Sequence, residues 1–440
     1  MTLSTTDNHR LTLKTEHLSL LEDLRWMAAP TLKTLCGGDH ANLLVFPQSF
    51  EAYGDKIGDQ RIFDIHGNEL ETGNIMGFVG RGTTMVKIQS RFAQDEGRDY
   101  FLHYMLQKVF SIHLFDLKHH SEEENIFDFL IYLFPTFLKK AVRQGIYKEY
   151  LTRHLNDANI RGHIDVSRHI RENIPFAGNV AYSTRVYAKN NHVTQLIRHT
   201  IEYIDSHPYY NGVLGNDEET KTAVQLIREA TSSYNRNERE RIINANIRPV
   251  HHPYFSEYKH LQHLCVQILR HEGMKYGHDE NEIYGILFDG AWLWEEYLNT
   301  FLHPILEHPR NRTGEGCKYV FTNHTGECYP DFCNSEMILD AKYKGYANWN
   351  IQRADLYQVI SYMYIMELKK GGFIVPTNGN LKPRTLNGYG GTITVFGLNV
   401  NHRPNTYQGF CTIMNEEEKR ISELIGNMIT VEDSLCSDQA

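Results

Sequence analysis

The pattern of apolar and polar positions divides the chain into three stretches. Up to about residue 110, short apolar runs are separated by glycine-containing turns; residues 42–46, 61–65 and 83–88 have the composition of strands. An amphipathic stretch at 17–26 precedes them. Residues 77–82 are glycine-rich, but no Gly-Lys-Ser/Thr follows and strand residues come next, so they are read as a tight β-turn rather than a phosphate loop. From Asp99 the spacing becomes helical. Residues 122–144 are strongly apolar and aromatic, with Pro135 the expected break. Arg161, Arg168 and Arg171 with Asp165 read as a charged connector into a helix beginning near His192, a polar interface to a partner or to DNA being the alternative. Residues 216–240 read as a charged surface helix.

The third stretch carries the chemistry. Residues 336–343 alternate as a strand does: Met337, Leu339, Ala341 and Tyr343 fall on one face, Ile338, Asp340 and Lys342 on the other. Asp340 and Lys342 should therefore project side by side, with Asp331 closing the same cleft from the neighbouring strand. Upstream, 283–302 reads as one helix with Ala291, Glu295, Leu298 and Leu302 on a single stripe. Glu295 thus lies on a mostly apolar face, where an unpaired carboxylate is costly; Glu296 falls with Asn299 and His303 on a solvated one. Downstream, 353–370 reads as a helix stopped by Gly371-Gly372, with Gln358 and Tyr362 sharing a face, followed by strands at 373–375 and 392–398. The loop 376–391 is polar, and the tail fades after a helix ending near Met428. Two carboxylates and an ammonium at one point suit a hard, oxygen-liganded cation such as Mg²⁺, with Mn²⁺ able to substitute. Such a cation holds a scissile phosphate and lowers the pKa of an attacking water. The plainer alternative is a hairpin with an exposed ion pair.

The order helix, strands bearing Pro330-Asp331 and Asp340-Ala341-Lys342, helix, strand resembles the PD-(D/E)XK nuclease core, with Glu295, Asp331, Asp340 and Lys342 at its signature positions. Gln358 and Tyr362 resemble the further motif of some branches. More narrowly, the chain is similar to the McrC family, the nuclease subunit of modified-cytosine restriction systems. That similarity rests on LWEEYL from 293, YPD at 329–331, LDAKYK from 339, DLYQVISYM from 355, GFVGRGTTMVKIQSRF from 77 and RGHIDVSRHIREN from 161. Where many McrC chains have Pro-Lys, this one has Ser90-Arg91. The resemblance implies a Mg²⁺-dependent DNA endonuclease acting with a McrB-like AAA+ GTPase hexamer on double-stranded DNA, methylated DNA among the candidates. It implies metal ligation by Asp331, Asp340 and Glu295, assistance to the water by Lys342, and support from Gln358 and Tyr362. The fold expected is α/β, α+β overall: a β-rich module at 1–112 that docks on the partner, a helical middle at 113–280, and a PD-(D/E)XK, restriction-endonuclease-like domain at 281–440.

Charge and composition narrow the function further. Lys and Arg number 45 against 54 Asp and Glu, a formal net charge of −9. DNA affinity comes largely from basic groups that neutralise phosphates, so another subunit is expected to supply much of the grip. No phosphate loop occurs, so any NTP hydrolysis belongs to another chain. No apolar run approaches the ~20 residues that span a bilayer, and the start has no apolar signal region; a soluble, cytoplasmic protein is expected. Seven Cys fit reduced thiols. Cys317, Cys328 and Cys333 with His324 lack a CxxC knuckle, His260 and His263 lack an acidic partner motif, and His119-His120 lack a spaced third ligand, so zinc is disfavoured at each. Two rivals stand beside the nuclease subunit: a non-catalytic adaptor that activates an AAA+ ring, and a stand-alone repair nuclease.

Overall fold

The strand Ile283–Asp289 determines how the chain is assembled. It pairs antiparallel with Ile75–Arg81 on one side and parallel with Ala41–Phe46 on the other. The resulting five-stranded sheet runs Thr2–Thr6, Thr84–Gln89, Ile75–Arg81, Ile283–Asp289, Ala41–Phe46. Ile283, Ile286, Leu287 and Phe288 are all buried, as a central strand covered on both faces requires. Residues 1–118 and 279–440 accordingly form one compact unit, and 119–278 form a second. The computed structural model describes residues 2–37, 41–47, 57–82, 84–93, 99–110, 122–207, 210, 212–215, 217–250, 252–274, 283–309, 311, 314, 316–346, 349–388 and 390–430. The pair His119-His120 and the end of the tail lie outside these residues.

Two expectations are corrected here. Residues 283–302 are not one helix: the strand ends at Asp289, whose Oδ1 caps the helix Gly290–Leu302 by accepting from Trp292 N at 2.9 Å. Residues 77–82 are not a turn but mostly strand, within Ile75–Arg81. Its glycine is needed for close approach. Gly77 has φ +125° and a Cβ there would stand 2.1 Å from the Ile286 carbonyl oxygen; across the pair, a Cβ on Gly285 (φ +152°) would meet the Phe78 oxygen at 2.3 Å.

A second five-stranded sheet, in the same unit, runs Phe332–Cys333, Met337–Ala341, Lys370–Val375, Thr392–Gly397, Leu381–Thr385. Met337–Ala341 is antiparallel to the first of these and parallel to Lys370–Val375. The helix Arg353–Ile365 makes the crossover between the parallel pair. It ends before the position read from the sequence, and Gly371-Gly372 lie inside the following strand; Gly371 leaves room for Met363 of the helix, whose Sδ is 2.4 Å from where a Cβ would be. All five residues of Met337–Ala341 are buried. The C-terminal helix Tyr407–Thr430 fixes the helix Gly290–Leu302: buried Glu418 accepts from Tyr297 OH at 2.9 Å, Tyr104 OH at 2.8 Å and Lys108 Nζ at 2.8 Å.

The second unit packs helices Glu122–Arg143, His192–Ser206, Glu218–Ala230, Arg239–Ala245 and Glu257–Met274 around Leu133, Leu138, Leu196, Ile201, Tyr258 and Leu261. Pro135 sits within its helix without ending it. The middle is not helical throughout, because Glu149–Asp157, Val180–Ala188 and His163–Ile164 form a three-stranded antiparallel sheet. The connector read at 161–173 contains the last of these strands and the helix Val166–Glu172, capped by Asp165, with Arg168 Nη2 donating to the Leu155 and Tyr182 carbonyls at 2.6 and 2.8 Å.

Candidate active site

Asp340 is the fourth residue of the central strand Met337–Ala341 and is 1% exposed. Lys342, two positions on, reaches back so that its Nζ lies 2.8 Å from Asp340 Oδ2. The two form an ion pair, and beyond it neither carboxylate oxygen of Asp340 meets a donor among the described residues. The ammonium is also directed at Gln358 Oε1, at 3.2 Å. Gln358 Nε2 donates to Tyr362 OH at 2.9 Å, and Tyr362 OH donates to the Tyr329 carbonyl at 3.3 Å. Gln358 and Tyr362, one turn apart on Arg353–Ile365, thus hold Lys342 and tie it to the segment entering Asp331.

Asp331 is held from its other side. Its Oδ2 accepts the Ala341 backbone N–H at 2.8 Å, its carbonyl lies 2.7 Å from His308 Nδ1, and the Pro330 carbonyl accepts from Asn311 Nδ2 at 2.9 Å. Burial pushes the Asp340 carboxyl up to about 8; the Asp331 charge adds to this and Lys342 opposes it. Burial acts to lower Lys342, but Asp340, Asp331 and Asp355 together hold its pKa above the ordinary lysine value. Burial also raises the Tyr362 phenol to about 12. Asp355 behaves in the opposite way to Asp340. Burial would raise it, yet hydrogen bonds from Lys344 and Tyr346, each 2.6 Å from Oδ2, hold it below the usual carboxylate range.

The helix Gly290–Leu302 places Glu295 at the same cleft, with Ala291, while Leu298 and Leu302 of the same stripe are buried beneath. Glu296 is occupied elsewhere, accepting from Trp292 Nε1 at 3.1 Å. The cleft, of about 740 Å³, therefore gathers Glu295, Asp331, Asp340, Lys342, Gln358 and Tyr362, every site residue named from the sequence. Four more lining residues come from the first sheet and its connections: Asn8, Gln60, Asn74 and Arg91. Arg91 belongs to the stretch quoted from 77 and to the Ser90-Arg91 pair, but nothing in the sequence places it, Asn8, Gln60 or Asn74 at the cleft; the pairing of Ile283–Asp289 brings them near.

A cation fits this donor set on one observation: the buried carboxylate of Asp340 has unmet acceptors beside a second carboxylate. Among the described residues no three His, Cys, Asp or Glu side chains form a ready-made ligand cluster, so the protein offers part of a coordination shell. Cys317, Cys328 and Cys333 are free thiols outside any such cluster.

The McrBC family, described as "McrBC 5-methylcytosine restriction system component", matches residues 70–376. The chain belongs to that family. The McrBC match includes all of the cleft residues except Asn8 and Gln60. Two solved assemblies from Thermococcus gammatolerans are similar to the chain. One, the half-complex from a tetradecameric assembly of McrB AAA+ hexamers with bound McrC, is 13% identical with a TM-score of 0.47, covering 94% of this chain and 100% of that one. The other, the McrBC complex solved by cryo-EM, is 15% identical with a TM-score of 0.32, covering 69% and 87%. No curated protein matches. Among the described residues no helix is long and apolar enough to cross a membrane.

Proposed function

We propose that this McrBC-family chain is the DNA-cleaving subunit of a restriction system. In this reading it hydrolyses phosphodiester bonds in a Mg²⁺-dependent reaction, in the cytoplasm, when assembled with a McrB-like AAA+ GTPase whose activity it stimulates. The observation that carries the reading is Asp340: a buried carboxylate met, among the described residues, only by the Lys342 ammonium, and kept beside Asp331 in an open cleft. A purely structural site gains little from such an arrangement, since two buried carboxylates facing one ammonium destabilise the fold. The strand order and the crossover helix Arg353–Ile365 support a PD-(D/E)XK core.

Asp340 and Asp331 would hold the cation, Asp331 with its Oδ2 oriented by the Ala341 N–H, and Glu295 would complete or orient the shell from the neighbouring helix. When bound, Mg²⁺ or Mn²⁺ supplies Lewis acidity toward the phosphoryl oxygens and toward a water. Lys342 orients the attacking water and offsets the negative charge that grows on the phosphoryl oxygens. Gln358 and Tyr362 keep the ammonium aimed and limit its motion. The test is purification with a McrB-like partner, followed by cleavage of modified and unmodified DNA with GTP and Mg²⁺. Cutting by the parent and none by Asp340→Ala is expected, with partner binding retained. Cutting by Asp340→Ala at the parental rate would reject the site. A parent that stimulates GTP hydrolysis but never cuts DNA would leave an adaptor instead.

A further inference from the structure

We infer that Arg91 and Asn74, which line the same cleft as Asp340, bind a phosphate of the DNA backbone flanking the scissile one; this rests on the nuclease reading above. Both residues are held in place by the first sheet. Arg91 uses its backbone N–H, Nε and Nη2 on the fully buried carboxylate of Asp7, the Nε bond being 2.8 Å. Its Nη2 also donates to Asn74 Oδ1 at 2.8 Å, and its guanidinium stacks 4.9 Å above the Tyr343 ring. Tyr343 directly follows Lys342. Asn74, for its part, accepts the backbone N–H of Gly290 at 2.7 Å, the first residue of the helix that carries Glu295. The pair is thus fixed against the segment that carries Lys342 and the helix that carries Glu295.

What remains unused points to a ligand. Because Asn74 Oδ1 accepts from Arg91, its carboxamide presents Nδ2 as a donor. Neither that Nδ2 nor Arg91 Nη1 has a protein acceptor among the described residues, and both residues line the cleft. A preorganised guanidinium edge beside a carboxamide donor matches a phosphate oxygen pair. In a cleft where one phosphate lies against Asp340 and Lys342, the anion next along the strand is another phosphate. Arg and Asn are ordinary donors to such groups, fixing register without reading sequence. The amino-terminal sheet would then be part of the substrate groove.

The decisive variant is Asn74→Asp. It keeps the oxygen that Arg91 needs, so the brace to Asp7 and Tyr343 is preserved. It replaces the free donor by a carboxylate that repels phosphate. Arg91→Gln is the companion. Cleavage by the chain assembled with its partner is measured against DNA concentration and against salt, with stimulation of GTP hydrolysis recording assembly. For each variant we expect KM for DNA to rise by ~10-fold or more with a smaller change in kcat, on all sequences alike, and for Arg91→Gln the slope of log kcat/KM against log salt to fall by ~0.9 for the lost cationic contact. If Asn74→Asp cuts with parental KM, the pair is only a brace and the inference is overturned, whatever Arg91→Gln does to folding. If the parent complex itself leaves DNA intact, the nuclease reading fails and this inference with it.

Discussion

Replacing Asp340 by Asn should make the metal-free protein more stable, and increasingly so as pH rises. In the folded chain the carboxyl is pushed up to about 8 by burial and by Asp331, whereas an unfolded aspartate titrates near 4. A raised folded pKa means that the folded state holds the proton more tightly than the unfolded one. Stability is therefore greatest below the unfolded carboxylate range and declines as pH climbs, levelling off only above the folded pKa. Asn imitates the protonated form and has no such decline. Each pH unit between the two pKa values contributes about 1.4 kcal/mol, so the gap between variant and parent can open by at most about 6 kcal/mol. Partial screening by water in the cleft reduces this, and a gain of at least about 2 kcal/mol between pH ~5 and pH ~9 is expected. Thermal and urea unfolding followed by circular dichroism, with a chelator present, measures it. Buried Asp99, raised by its own burial to about 6, also titrates in this range but is common to both proteins and cancels in the comparison. Adding Mg²⁺ should restore stability to the parent and not to the variant. Parallel pH profiles for the two proteins would refute the claim that ionising the buried Asp340 carboxyl destabilises the fold.

Three other outcomes follow from the geometry. Glu295→Gln should reduce cleavage severely and Glu296→Gln only slightly, because the first lines the cleft while the second receives the Trp292 indole N–H; equal mild losses in a rate assay would mean the helix merely packs there. Gly285→Ala should cost more than the ~1 kcal/mol usual for a substitution, since the added Cβ meets the Phe78 oxygen at 2.3 Å; a melting temperature within a degree or two of the parent would count against the close pairing. Removing residues 1–112 takes away both neighbours of Ile283–Asp289, so residues 279–440 should lose protease resistance rather than survive as a folded nuclease.

The strand 337–341 and its pair of charged residues were legible because alternation alone sets which side chains emerge together. The helix face bearing Glu295 was legible for a similar reason, once its true start at Gly290 is allowed. Its upstream half was misread because Ile283–Asp289 is buried on both faces, and a short continuous apolar run has no period to distinguish strand from helix. Residues 77–82 have the composition of a turn because glycine has two uses, and sequence does not tell a turn from a close backbone approach. The strands Glu149–Asp157 and Val180–Ala188 were missed for the opposite reason. Much of each is exposed, so neither shows a clear apolar side. That Asn8, Asn74 and Arg91 line the cleft is not legible, although Arg91 stands in a quoted motif, since they reach it only through pairing across some 200 residues of intervening chain.

The split sheet has a consequence for synthesis. Strands Ala41–Phe46 and Ile75–Arg81 do not pair with each other; their shared neighbour is encoded only at Ile283–Asp289. At ~5–20 residues per second, a ribosome needs ~10–40 s to reach it. During that interval both strands present open edges, the kind of surface that templates aggregation or recruits a chaperone. The two walls of the cleft are also made at different times, Asn74 and Arg91 long before Asp340 and Lys342. A chain abandoned anywhere before residue 342 carries no complete site. In a protein proposed to cut DNA, this order along the chain keeps every product that stops before residue 342 harmless to the genome that encodes it.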